Sequence, residues 1–315
     1  MTPTAGFVPN IDISHRDLFD RYRDRHPTVL SDQTFTNLFI WQDSRHIELI
    51  EEGRTLIVVQ HFNHSTQLFG DPMGPLDIES AARTVKRLTG KPVTAAVRLR
   101  ESSEQKSLPS GWEQEEDRNN FDYVYRQENL SELAGRKYHK KRNLIAQCLT
   151  ENTCAYEAIS PDNLDEVREM MDRWCASRNC GETPGLCHEY LAIQKLLTHF
   201  NALDVFGGAI RIGGRIEAFT IGERLNANTA VVHIEKAMGE FKGLYQLINN
   251  WFCQHSLADY EFVNREQDLG IEGLRQAKES YFPDHLIRKC RMTTPEAKHV
   301  LDETPAVRRC MDGFE

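Results

Sequence analysis

The sequence has no long hydrophobic run. Its apolar stretches, such as Leu56 to Val59, are strand-sized and far short of the ~18 residues that signal a membrane span. The first residues, Met1 to Phe7, carry no basic patch followed by an apolar stretch, so they do not read as a secretory signal. Eight cysteines are present, but no two stand in a C-x-x-C pair. That usage excludes common zinc-finger and thioredoxin-like patterns and predicts free thiols in a reducing, cytoplasmic compartment. Cys175, Cys180, Cys187 and His188 lie close in sequence, but at spacings that match no common metal site, so no metal is expected. Positive charge is also short: 38 Lys and Arg against 47 Asp and Glu give a net charge of −9. An acidic total excludes general nucleic-acid coating and leaves only local basic patches to consider.

With 315 residues and 40% apolar content, the chain is long enough for two domains, each with its own core. The second half is clearly patterned. Thr153 to Ile159 predicts a strand, and Ser160-Pro161 a helix start. Leu164, Val167, Met170, Met171 and Trp174 recur at helical spacing, and His188 to Phe200 predicts a second helix. Val205–Ile212, Arg215–Leu225 and Thr229–Ala237 predict a three-strand meander, its first turn marked by Gly213-Gly214. A helix after Gly243, a strand over Tyr260–Asn264, a helix over Gly270–Tyr281 and a strand over His285–Met292 complete the series. This is the element order of the Gcn5-related N-acyltransferase fold. The first half repeats it in worn form. Helices are predicted after Ser14, over Asp32–Trp41 and over Asp77–Leu88; strands over His46–Ile50, Arg54–Phe62, Thr66–Gly70, Val93–Leu99 and Phe121–Tyr125; Ser102–Gly111 is irregular. The expected organisation is an α/β chain of two tandem acyltransferase-like domains. Residues 1–128 form a degenerate first domain, 129–150 a basic connecting helix, and 151–315 the domain with the working site.

Four segments carry a family resemblance: Ser31-Asp32-x-Thr34-Phe35-x-Asn37-Leu38-Phe39-x-Trp41, Leu133 to Asn143, His233-Ile234-Glu235-Lys236-Ala237, and Asn264-Arg265-Glu266-Gln267-Asp268-Leu269-Gly270-x-x-Gly273-Leu274-Arg275-x-Ala277-Lys278. Together they resemble the soluble bacterial family related to the C-terminal domain of phosphatidylglycerol lysyltransferase. The resemblance implies a tandem acyltransferase fold. It also implies kinship with enzymes that move an aminoacyl group from aminoacyl-tRNA to an amine or hydroxyl, with no dissociable cofactor required.

In this fold the site lies where the last meander strand parts from the next one, here Thr229–Ala237 and Tyr260–Asn264. Direct attack by an amine needs only a proton acceptor and donors for the oxyanion. Glu235 or His233, which a strict two-residue period puts on one face together with Ala237, can take the proton. The alternative for Glu235 is a salt bridge to Arg265 or Arg275. Lys236 points to the other face, as a donor contact or a solvated side chain. Asn264 can supply an amide to an oxyanion. Glu266 or Asp268 can hold an ammonium, while Asp268 can equally cap the following helix. Arg275, Lys278 and Tyr281 share one helical spacing and can meet a phosphate or simply face water. Gly239 and Gly243 lie in the loop that cradles pyrophosphate in coenzyme A enzymes. There Phe241 and Glu240 depart from the pattern, so acetyl- or acyl-CoA is an open second donor behind aminoacyl-tRNA. The one dense basic run, with Arg136, Lys137, Lys140, Lys141 and Arg142, can contact tRNA phosphates, or form a solvated face docked on Glu113–Asp117. The acceptor is left open among a small amine, a peptide and a lipid head group. A coenzyme A-dependent acyltransferase and a non-catalytic RNA- or protein-binding module on the same scaffold are the competing functions.

Overall fold

The computed structural model describes residues 6–8, 10–99 and 108–303. The first five residues and most of the irregular Ser102–Gly111 stretch lie outside the described residues. In chain order the elements are β1 (Gly6–Val8), α1 (Arg16–Arg25), α2 (Phe35–Arg45), β2 (Ile47–Glu52), β3 (Thr55–His61), β4 (Thr66–Phe69), α3 (Ile78–Thr89), β5 (Val93–Arg98) and β6 (Glu113–Glu116). There follow β7 (Asp122–Arg126), α4 (Gln127–Glu132), α5 (His139–Glu151), β8 (Cys154–Ala158), α6 (Leu164–Ser177), α7 (Pro184–Thr198), β9 (Phe206–Ile212), β10 (Arg215–Arg224) and β11 (Thr229–Ala237). The chain ends its described part with α8 (Leu244–His255), β12 (Phe262–Asn264), α9 (Glu272–Glu279), β13 (His285–Ile287), β14 (Lys289–Thr293) and α10 (Pro295–Glu303). No helix among the described residues is long and apolar enough to cross a membrane.

Two compact units result, one from residues 1–121 with 287–315, the other from 122–286. Each holds one seven-stranded mixed sheet, and the two sheets are built to one plan. In the first, β1 to β4 run antiparallel, β4 pairs parallel with β5, and β14 lies between β5 and β6. In the second, β8 to β11 run antiparallel, β11 pairs parallel with β12, and β7 lies between β12 and β13. This is the tandem Gcn5-related N-acyltransferase arrangement, read twice.

The repeat also corrects the expected boundaries. Phe121–Tyr125 is predicted to close the first sheet, but β7 belongs to the second. His285–Met292 is predicted as one strand, but it breaks at Arg288, so that β13 stays in the second sheet while β14 joins the first. The two halves thus exchange their last strands, each taking the next-to-edge place in the other sheet, which element order along the chain cannot reveal. Residues 129–150 are likewise not a single connecting helix. Leu133 (φ 49°) and Gly135 (φ 84°) adopt left-handed conformations that break them into α4 and α5, and both helices belong to the second unit.

The second unit's core positions the site. Leu130, Leu133 and Tyr138 pack with Ala230, Val232, Phe252, Cys253, Val263 and Tyr281. Cys148 packs with Ala237, Leu244, Leu247 and Ile248. Together they fix α8 and β11 against α4 and α5. Gly243 (φ 86°) is placed where a Cβ would stand 2.1 Å from the Leu144 carbonyl, so only glycine lets α8 begin beneath α5.

Candidate functional site

β11 and β12 pair at only three positions, ending at Val231↔Asn264. Beyond that point β11 continues to Ala237, while the chain after Asn264 turns away. The turn is set by Asn264, whose Oδ1 accepts from the Glu266 amide at 2.8 Å, and by the left-handed Glu266 (φ 55°). The parted strands hold ion pairs rather than apolar side chains.

A β-bulge in β11 decides which residues meet. Gly222 pairs with Val232 and Ile221 with Ile234, so His233 is the extra residue. Gly222 permits it, since a Cβ there would stand 2.4 Å from the Val231 carbonyl oxygen. The bulge resets the alternation. Ala230 and Val232 pack on α8, and after the bulge it is Glu235 and Ala237 that do so. His233 is therefore not on the face of Glu235, contrary to the strict two-residue period. Its ring reaches Glu223, cross-strand neighbour of Val231, at 2.9 Å through Nε2, and Glu266 at 2.7 Å through Nδ1.

The chemistry of the two residues differs accordingly. His233 has a side chain only 1% exposed. Burial alone would lower its pKa, but the hydrogen bonds to Glu223 and Glu266 outweigh this and raise it to about 9. It is an imidazolium at neutral pH, with both nitrogens donating, and cannot act as the base. Glu235 receives Arg265 Nη2 at 3.0 and 3.3 Å and Asn249 Nδ2 at 3.0 Å. The salt bridge weighed for Glu235 is thus present, with Arg265 rather than Arg275 as partner. The Arg265 guanidinium also lies 4.9 Å from the ring centre of Tyr281 and 5.7 Å from that of Tyr125. Burial works against its charge, and Glu235 more than compensates, so its pKa is raised.

The other expected site residues are placed as follows. Asn264 is fully buried, and its Nδ2 donates to Asp122 Oδ2 at 3.0 Å, so its amide is committed to β7 rather than to an oxyanion. Asp268 accepts from Tyr123 Oη at 2.6 Å, from the Gly270 amide at 2.8 Å, and from Arg275 through two bonds of 2.9 Å. Burial would raise its pKa, but these donors hold it well below the usual carboxylate range. The buried Asp268 and the partly exposed Arg275 are therefore a brace for the turn into α9, not holders of ammonium and phosphate. Nor do Lys278 and Tyr281 form a solvated stripe with Arg275. Lys278 is 9% exposed and its Nζ donates to the Arg265 carbonyl, while Tyr281 is 5% exposed. Burial, then the neighbouring Arg265, lower the Lys278 pKa to about 8.

Lys236 is on the opposite face from Glu235, as expected, but it is not solvated. It pairs with Glu189 at 2.7 Å and lies 4.0 Å from the ring centre of Trp174. Within the loop from Gly239 to Gly243, the Phe241 amide bonds to the Met238 carbonyl, and the flanking amides of Met238 and Leu244 bond to the carbonyls of Glu217 and Phe241. Of the basic run, Arg136, Lys137 and Lys140 are exposed. Arg142 instead bonds the carbonyls of Leu133 and Gly135, capping the end of α4. Lys141 turns inward, its Nζ 2.6 Å from Ser280 Oγ and 4.0 Å from the centre of the Tyr281 ring. Burial and the nearby Arg265 lower its pKa to about 8. The acidic stretch weighed as a dock is occupied by other partners: Glu113 pairs with Lys298, Glu116 with Arg288, and Asp117 with Arg291. Among the described residues no group of three His, Cys, Asp or Glu side chains is arranged to hold a metal ion, and all seven cysteines are free.

Sequence reasoning missed Glu223 and Asn249. Each left a trace. Glu223 is a carboxylate at the end of an apolar strand, and Asn249-Asn250 interrupt the apolar face of α8. Only the fold shows that both face β11.

A comparison with curated proteins returns no match. Among solved structures, a conserved protein of unknown function from Bacteroides thetaiotaomicron is 29% identical, with a TM-score of 0.83 over 93% of this chain and all of that one (100%). L-PGS from Bacillus licheniformis is 14% identical, with a TM-score of 0.63 over 93% of this chain and 96% of that one. FemX is 8% identical, with a TM-score of 0.57 over 95% and 99%. The last two, at such low identity, speak for the fold alone. The sequence itself matches the family described as phosphatidylglycerol lysyltransferase, C-terminal, over residues 23–291, and the chain belongs to that family.

Proposed function

We propose that this protein transfers an aminoacyl group from aminoacyl-tRNA to an amine or hydroxyl acceptor at the parted strands β11 and β12. Family and fold point to an acyltransferase-type enzyme; the donor and the site are our reading. The observation that carries it is the gap beyond Val231↔Asn264, where Glu235, Arg265 and Asn249 converge although the surrounding positions are core. A half-buried carboxylate beside a fixed guanidinium suits the chemistry. Glu235 takes the proton as the acceptor nitrogen or oxygen bonds to the acyl carbon. The ester C–O bond then breaks, and the departing ribose oxygen takes up a proton. Arg265 is the natural stabiliser of the oxyanion that forms between these steps. His233, already protonated, braces Glu223 and Glu266 and keeps the second strand turned away.

Aminoacyl-tRNA is preferred to acyl-CoA as donor because the loop before α8 carries Glu240 where a pyrophosphate would sit. The exposed Arg136, Lys137 and Lys140 offer phosphate contacts. Charged tRNA places the activity in the cytoplasm. The acceptor belongs to the set of small amines, peptides and lipid head groups. The test is turnover of charged tRNA by the purified protein across such acceptors, with Glu235→Gln as the control. A rate unchanged in Glu235→Gln refutes the assignment. Micromolar binding of acetyl-CoA without consumption of charged tRNA would transfer the reading to coenzyme A chemistry.

A further inference from the structure

Phe282 is the only exposed phenylalanine among the described residues of the second unit, with 44% of it open to water. Its backbone is unusual as well. The φ of 54° lies in the left-handed region, just past the end of α9, where glycine is the ordinary occupant. A phenylalanine there is strained, and a ring so exposed recovers little of that cost by burial. The conformation is held from both sides. The Phe282 amide donates to the Glu279 carbonyl at 2.9 Å, Tyr138 Oη donates to the Tyr281 carbonyl at 2.9 Å, and the Asp284 amide donates to the Val124 carbonyl at 2.8 Å. The ring is thus presented to solvent in a fixed pose, its centre 5.6 Å from that of the buried Tyr138 in an edge-to-face contact. Lys137 Nζ stands 5.3 Å from the centre of the same ring. Arg136 precedes it and Lys140 follows three residues on. All three are exposed, and none has an ion-pair partner among the described residues. In a chain of net charge −9, this is a local reversal of sign around one exposed ring. Phe282 also adjoins the slot, because it follows Tyr281, whose ring centre lies 4.9 Å from the Arg265 guanidinium that holds Glu235.

An exposed ring with cations beside it suits an unpaired base of a nucleic acid. Every base has a π-face that stacks on an aromatic side chain, and the phosphates on either side of it meet Lys or Arg. A duplex keeps its bases stacked inside and offers the ring nothing. A bilayer also draws aromatics and lysines, but it takes several apolar side chains to enter one, whereas here a single ring stands among charges. Resting on the transferase reading above, we infer that Phe282 is the stacking platform for an unpaired base at the 3′ end of tRNA, with Arg136, Lys137 and Lys140 on the flanking phosphates. The 3′ end bears the ester and must reach Glu235, and Tyr281 links the platform to that slot. Phe282 therefore positions the donor without touching the reacting atoms.

The experiment measures binding of a deacylated tRNA to the full-length protein over a range of salt concentrations. The same tRNA trimmed of its unpaired 3′ nucleotides, and phosphatidylglycerol vesicles, are run beside it. Stacking of one base contributes about 5- to 150-fold in Kd. Intact tRNA should therefore bind at least ~5-fold tighter than the trimmed form, Phe282→Gly should erase that advantage, and Phe282→Tyr should keep it. The salt slope should not change in Phe282→Gly, because no phosphate contact is lost. Glycine accepts the left-handed φ, so the variant keeps the fold, which circular dichroism checks. With charged tRNA the loss should appear in KM rather than in kcat. Equal binding of intact and trimmed tRNA would overturn the inference, as would an advantage that survives Phe282→Gly. Vesicle binding lost in that variant, with tRNA binding unaltered, would overturn it too and assign the ring to a membrane. In each of these cases, turnover of charged tRNA would leave the transferase reading standing. Absence of both tRNA binding and turnover would defeat the two together.

Discussion

Replacing or titrating His233 tests the electrostatics of the second unit directly. Its ring is buried between Glu223 and Glu266, and its pKa rises from the ordinary 6.5 to about 9. At about 1.4 kcal/mol per pH unit, that difference makes the charged clamp worth on the order of 3 kcal/mol. Below pH 6.5 histidine is protonated both folded and unfolded, and the full stabilisation is present. Between 6.5 and 9 only the folded state keeps its proton, so stability drains as pH rises, and above 9 this contribution is gone. The unit covers residues 122–286, a size at which 1 kcal/mol moves the melting temperature by ~2–4 °C. A fall of roughly 6–12 °C across the window is expected. Lys141 and Lys278, both lowered to about 8, act in the opposite sense, and only above pH 8. The interval from 6.5 to 8 therefore isolates His233. Thermal melts at fixed ionic strength measure the slope, and nitrogen-15 shifts of the ring read the protonation state itself. A flat melting temperature from pH 6.5 to 8, or a neutral ring at pH 7.5, would refute the clamp.

Further outcomes follow from single contacts. Glu235→Gln keeps the shape but removes the charge that pairs with Arg265; acyl transfer should fall by at least ~10²-fold, as expected for loss of a general base, with a native circular dichroism spectrum. Tyr123→Phe removes the 2.6 Å bond to buried Asp268 and should cost about 1.5–3 kcal/mol in urea unfolding; a change under 0.5 kcal/mol would show that Arg275 alone holds the turn. Gly243→Ala sets a Cβ 2.1 Å from the Leu144 carbonyl at a left-handed φ, and should lose more than the ~1 kcal/mol of backbone strain alone because α5 must shift. Neutralising Arg136, Lys137 and Lys140 together should reduce the salt slope of tRNA binding by about 2–3, whereas Arg142→Gln should lower stability instead, through the exposed end of α4.

The sequence displayed the meander and the parallel step because those depend on local alternation and on turn residues such as Gly213-Gly214. It displayed the charged stretch from Asn264 to Asp268 because polar residues at a strand end stand out against a core. The strand exchange was hidden, since β7 and β14 satisfy either sheet equally well as patterns, and only long-range pairing chooses between them. The single connecting helix failed for a local reason, the left-handed Leu133, which no propensity foretells at a leucine. The α9 stripe, open in the sequence between a phosphate contact and a solvated face, was hidden because its partners are non-local in pattern: Asp268 holds Arg275, and the Arg265 carbonyl draws Lys278 inward.

The bulge at His233 is the feature from which the division of labour follows. With unbroken alternation, His233 and Glu235 would face one slot, and the histidine would be the obvious base. One inserted residue sends the imidazole to Glu223 and Glu266 and leaves Glu235 on the α8 side with Arg265 and Asn249. An imidazolium that holds two carboxylates stabilises the turn that parts β12 from β11, and the parted strands are what give Glu235, its side chain 16% exposed, a place to meet a reacting group. Deleting His233 should therefore lose the clamp but keep the pairings Ile221↔Ile234 and Thr220↔Glu235, and with them the face of Glu235. Closing the bulge without a deletion, by Gly222→Ala, whose Cβ would stand 2.4 Å from the Val231 carbonyl oxygen, should instead turn Glu235 away from α8 and abolish transfer even in protein that remains folded. Retained activity in folded Gly222→Ala would mean that the chemistry does not depend on the face that Glu235 takes on this strand.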